Sequence, residues 1–64
     1  MKLDKRKIEI AMARAQLSRE DLSEKSNLPF TTIRNAIQRT GCRPITAGKI
    51  AKALGVDVTE IIED

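Results

Sequence analysis

The chain has 64 residues, with 12 Lys and Arg against 9 Asp and Glu, no His, one Cys and one aromatic side chain. That length makes one domain over residues 1–64, close to the lower limit for folding without a disulfide, a metal or a partner. With no His and one Cys, a structural zinc site of about four Cys or His ligands is excluded, as is any Cys–His or Ser–His nucleophile pair. No catalytic residue, metal or cofactor is therefore expected, and the chain reads as a non-enzyme.

The N-terminal MKLDKRKIEI has charges but no apolar signal core behind them, and no apolar run nears the ~20 residues of a membrane span. A soluble, cytoplasmic protein without membrane contact is expected. Residues 4–15 predict the first helix. Ile8, Ala11, Met12 and Ala15 recur at three- and four-residue spacing, with Lys5, Arg6, Glu9 and Arg14 on other faces. Asp4 is a candidate cap. Ile10 falls off the apolar stripe, at the edge of the core.

Residues 18–37 read as two short amphipathic segments around a tight connection, the outline of a helix-turn-helix unit. Ser18 is a good N-cap with Asp21 three residues later, a weaker form of the capping box, and Leu17 and Leu22 suit a hydrophobic staple. Leu22 and Ser23 supply the inward face. Arg19, at the first helical position, is unfavourable for the helix dipole. Either it joins the helix N-terminus in holding a phosphate, or it pairs with Glu20 or water. In Ser26-Asn27-Leu28-Pro29, Asn tolerates the left-handed conformation that ends a helix, and Pro suits the start of the next.

The next helix covers about residues 30–38, with Ile33, Ala36 and Ile37 inward. Phe30, Thr31, Arg34, Asn35 and Gln38 lie on its outer side, groups able to touch bases and phosphates. Phe30 either anchors the core or presses on a thymine methyl, and exposure is favoured because Leu28 and Ile33 already fill the space beside it. Residues 39–44 form a loop that Gly41 and Pro44 keep out of either helix. Cys42 in that loop is a free thiol in a reducing compartment or an intermolecular link.

A fourth helix is predicted over residues 46–54, with Ala47, Ile50, Ala51 and Leu54 inward and Lys49 and Lys52 outward. Gly48 implies close packing against another backbone. Gly55 and Val56 end this helix as in a Schellman motif. Asp57 then caps a last short helix, with Glu60 at the third position and Val58, Ile61 and Ile62 apolar. From residue 25 to 56 the chain has Lys25, Arg34, Arg39, Arg43, Lys49 and Lys52 and no acid. An acid-free basic stretch over the second half of a helix-turn-helix suits a polyanion.

With five short helices and the helix-turn-helix at the second and third, the chain resembles the Cro/repressor-type (Xre-like) DNA-binding domains of bacteria and their phages over about residues 5–62. The most family-like segment is Pro44 followed by ITAGKIAKALGVDVTEII, and Leu22, Leu28 and Ile33 fall where the family keeps apolar residues. The resemblance implies a compact, all-α, five-helix lambda-repressor-like fold and a small transcriptional regulator that binds double-stranded DNA at a palindromic operator. It places Phe30, Thr31, Arg34 and Asn35 in the major groove, Arg34 suited to guanine and Asn35 to adenine. Arg19, Thr32, Gln38, Arg39 and Arg43 would hold phosphates.

Asn27 stands where the family often has Gly, Ser23 where it has Ala, and Arg19 where a Gln meets the DNA backbone. Met12 and Ile37 take the positions of a partly buried Arg–Glu pair, which implies a direct apolar contact. A homodimer would use Ile61 and Ile62, unless these complete the monomer core. No effector site for a small molecule is evident. The competing reading is a protein-interaction module, antitoxin-like or accessory, that keeps the fold without operator binding.

Overall fold

The computed structural model describes residues 1–38 and 41–63, so Arg39, Thr40 and Asp64 lie outside the described residues. Among the described residues four α-helices follow one another: α1 (Lys5–Ala15), α2 (Arg19–Ser26), α3 (Phe30–Gln38) and α4 (Pro44–Leu54), then a single 3-10 turn at Val58–Glu60. The starts of α1 and α2 have a local chemical cause. The Asp4 carboxylate accepts the Lys7 N–H at 3.1 Å ahead of α1. Ser18 and Asp21 close a reciprocal capping box at 3.1 Å in both directions ahead of α2, so Asp performs the role usually given to Glu or Gln.

Among the described residues, α1, α2 and α4 end on a left-handed residue: Gln16, Asn27 and Gly55. In each case the amide after it reaches back five residues, Leu17 to the Met12 carbonyl, Leu28 to Ser23 and Val56 to Ala51. That is the Schellman arrangement. Leu17, Leu28 and Val56 are all partly buried against the core, so the motif that stops each helix also sets an apolar side chain under it.

Packed between the helices are Ile8 and Ala11 of α1, Leu22 of α2, Ile33, Ala36 and Ile37 of α3, and Ala47, Ile50, Ala51 and Leu54 of α4. Their periodicity is the expected one, except that Met12 is only half-buried and Ala15, at the end of α1, is exposed. The core is aliphatic throughout, and its alanines let helices approach closely. Leu3 and Ile61 complete it from the two ends of the chain.

Four expectations are corrected. The fifth helix is only a 3-10 turn, although its capping box of Asp57 and Glu60 is present. Past Glu60 the chain leaves helical geometry and pairs with the N-terminus: Asp4 N–H donates to Ile61 O at 2.8 Å and Glu63 N–H to Lys2 O at 3.0 Å, around an antiparallel bridge of Leu3 and Ile62. β-Branched Ile62, at the bridge, favours extended backbone over another helical turn. Pro44 begins α4 rather than standing outside it, because a first helical residue needs no N–H donor. Gly48 meets nothing within 4 Å of the position a Cβ would take, so no backbone packs on it. Ile10 is 47 % exposed and lies outside the core.

Candidate nucleic-acid interface

The turn between α2 and α3 is tied more firmly than its sequence implies. Asn27 sits at φ 58° and ψ 35°, and its N–H donates to Glu24 O while Leu28 N–H donates to Ser23 O, both at 3.2 Å. The Ser23 hydroxyl donates to the Leu28 carbonyl, and the buried Ser26 hydroxyl donates to Ser23 O at 3.3 Å. Ser23 is thus more than a small residue at a helix crossing. Its side chain and carbonyl together lock the turn that aims α3. The signal was a hydroxyl at the last full turn of a short helix, where such groups bond locally.

From Pro29, whose carbonyl accepts the Ile33 N–H at 3.1 Å, α3 runs with Ile33, Ala36 and Ile37 buried. Its other flank is open. Thr31, Arg34 and Gln38 are exposed, Thr32 and Asn35 are half-buried, and Phe30 is 44 % exposed. Phe30 is therefore no core anchor. It stands beside Glu20, Ser23 and Glu24 around a shallow hollow of about 420 Å³, at the edge of the outer face nearest α2.

Arg19 opens α2 half-buried, with Glu20 and Asp21 in the same turn. The Ser18 backbone N–H, and after it the Ser18 hydroxyl, hold the Asp21 carboxyl below its ordinary value, so the cap stays ionised and ordered beside Arg19. Arg43 is exposed at the cap of α4, and no side chain caps that helix. The predicted phosphate contact at Arg39 lies outside the described residues.

The loop carrying Arg43 is fastened by the N-terminus, a role the sequence reading missed. Cys42 N–H donates to Met1 O at 2.8 Å, and the terminal amine donates to Cys42 O at 3.0 Å. Leu3, only 5 % exposed, is the anchor. Burial pushes the Cys42 thiol above its ordinary pKa, against the nearby terminal amine and the Ala47 N–H. The thiol stays protonated at neutral pH.

Of the two isoleucines assigned to a dimer contact, Ile61 is fully buried in the monomer. Ile62 is half-buried, and its carbonyl accepts from Lys7 Nζ at 3.1 Å. The acidic tail does not lie over α3 as far as Glu63, since Ile61, Ile62 and Glu63 are paired with residues 2–4.

Among the described residues no helix is long and apolar enough to cross a membrane, and no group of three or more His, Cys, Asp or Glu is placed to hold a metal. No individual characterised protein and no solved structure matches the chain. A family model does, over residues 7–64, that of the Cro/C1-type HTH DNA-binding domain. A turn pinned by Ser23, an α3 that buries one flank and opens the other, and this match together make the chain a DNA-binding helix-turn-helix domain of a transcription regulator, a member of the Cro/C1-type family.

Proposed function

We propose that this domain binds double-stranded DNA sequence-specifically, with α3 lying in the major groove. The observation that carries the reading is the open flank of α3, where Arg34 is exposed and Asn35 half-buried beside exposed Thr31 and Gln38. Arg34 offers two parallel donors to guanine, Asn35 a donor and an acceptor to adenine, and Phe30 and Thr31 apolar contact for a thymine methyl. Arg19, Thr32, Gln38, Arg39 and Arg43 hold the flanking phosphates and set the register. Glu20 and Glu24 beside Phe30 repel phosphate, so Phe30 marks the limit of the base-reading surface on the α2 side, with Arg19 reaching the backbone beyond it.

On this reading the protein is a small regulator of a bacterium, a phage or a mobile element, acting in the cytoplasm. Two copies on a palindromic operator would set their recognition helices about 34 Å apart. With Ile61 buried, Ile62 is the member of the pair left to such a contact.

The test is an anisotropy titration on a duplex selected from random sequence and on the promoter beside the gene, at several salt concentrations. Arg34→Ala should relax preference at one base position, a loss of about 1–3 kcal/mol in discrimination. Arg43→Ala should weaken all sequences alike and reduce the salt slope by about one. Equal effects of both substitutions on every sequence would overturn the division of roles. No preference among duplexes for the wild-type chain would overturn specificity itself and favour the protein-interaction reading.

A further inference from the structure

We propose that the cleft between the C-terminal ends of α2 and α4 is a second phosphate-binding surface, holding the backbone of a DNA duplex other than the one on α3. One domain would then join two duplex segments. The cleft has a volume of about 440 Å³ and is lined by Lys25, Ser26, Asn27, Lys49, Lys52 and Ala53. Among the described residues no carboxylate lines it, and all three lysines are exposed. Lys49 and Lys52 have no ion-pair partner among the described residues. Lys25 feels the charge of Asp21, one turn earlier on α2.

The cleft is separate from the face already described. None of the outward residues of α3 lines it, and Lys25 stands about 9 Å along the α2 axis from Arg19 at the other end. Helix dipoles account for part of the lysine content, since Lys25 and Lys52 each lie in the last turn of a helix, where a cation is favourable. They do not account for Lys49, which sits mid-way along α4.

The lining selects the occupant. Ammonium groups are compact point charges that bind phosphate oxygens without a bidentate, geometry-reading fork. There is no aromatic side chain on which single-stranded bases stack. Ala53 is the one apolar residue, too small to anchor a protein segment, and lysine is disfavoured at the centre of protein interfaces. A duplex backbone, contacted without reading sequence, is what remains.

The experiment holds the whole chain on a bead-bound duplex carrying the selected operator and measures capture of a second, fluorescent duplex of unrelated sequence. This format rests on the function proposed above, so operator binding is measured first for each variant. The variant K25Q/K49Q/K52Q should bind the operator within about twofold of wild type yet lose at least about tenfold of second-duplex capture, while K25R/K49R/K52R retains it. All three positions are outside the core, and an unchanged melting curve verifies folding. Equal capture by wild type and the Gln variant, or no capture by wild type at low salt, would overturn the proposal. So would displacement of the second duplex by polyglutamate more readily than by DNA of equal charge, which would assign the cleft to an acidic protein. Should wild type show no operator binding, the earlier reading fails, and direct titration with the unrelated duplex decides this one. A loss of about tenfold in the Gln variant supports the lysine cleft, and equal affinity sinks it.

Discussion

Gln16 holds φ 56° and ψ 43° at the end of α1, a left-handed conformation that costs an L side chain about 1 kcal/mol relative to Gly. Gly48 is the opposite case, a glycine inside α4 with open space around its missing Cβ and no positive φ to require it. Gln16→Gly and Gly48→Ala should therefore each stabilise the fold by about 0.5–1 kcal/mol. In a thermal melt that is an upward shift of about 2–8 °C for a domain of this size. A fall in midpoint for either would show that the residue has a packing role. At the same scale, the capping carboxylates link stability to pH. Ser18 holds the Asp21 pKa down, through its backbone N–H first and its hydroxyl second, and Thr59 does the same for Asp57, through its hydroxyl first and its N–H second. A folded-state pKa below the unfolded value means that the unfolded chain takes up protons first as acid is added. The contribution is full above the ordinary value of 3.8 and is lost as pH falls through the lower folded value. The melting midpoint should fall below about pH 4, and D21N/D57N should fall less steeply there.

At the scale of elements, α1 and α3 pack together with Met12 half-buried against the core and Ile37 only 4 % exposed. Neither carries charge, where related domains place an Arg and a Glu. Ile37→Glu should cost about 3–5 kcal/mol, because it strands an uncompensated carboxylate inside the core. For a small domain that amounts to unfolding. Adding Met12→Arg should then recover a measurable part of the loss, read as a positive coupling in a double-mutant cycle by denaturant titration. A melting curve unchanged by Ile37→Glu, or additivity of the two substitutions, would show that the two positions do not share one site. α2 shows how little of a short helix's stability is its own. Its eight residues are held by a capping box at one end and a Schellman turn with two serine hydroxyl bonds at the other. Leu22 is its single fully buried apolar side chain.

For the molecule as a whole, the first four residues are the clasp. They bond to Ile61 and Glu63 at the C-terminal side and to Cys42 ahead of α4, and Leu3 and Ile61 are buried beneath them. Leu3→Ala should cost about 2–5 kcal/mol, the range for a buried leucine replaced by alanine. Amide exchange at Asp4, Cys42 and Glu63 should accelerate well before that of Ile33 or Ile50, since the clasp opens separately from the helical core. Protection lost equally at all five amides would mean that the clasp and the helices open as one unit.

Helical periodicity alone located α1 to α4 and most of their buried faces, from Ile8 and Ala11 through Leu22, Ile33 and Ile37 to Ile50 and Leu54. The repeat of 3.6 residues is a property of the local backbone, and an apolar stripe at that repeat has to be covered. Ser18, Asn27, Gly55 and Asp57 were legible for the same reason, because capping acts within three or four residues. The open flank of α3 followed as the complement of its buried one. What lay beyond local rules needed the tertiary structure. Residues 2–4 and 61–63 are far apart in the chain and meet through bridging hydrogen bonds and a shared core, so neither the clasp nor the replacement of a fifth helix by an extended tail was visible in either segment by itself. The lysine cleft likewise joins Lys25 to Lys49 and Lys52 through the packing of α2 on α4. Contacts between distant segments depend on which faces the whole chain buries together, and that is a property of the fold.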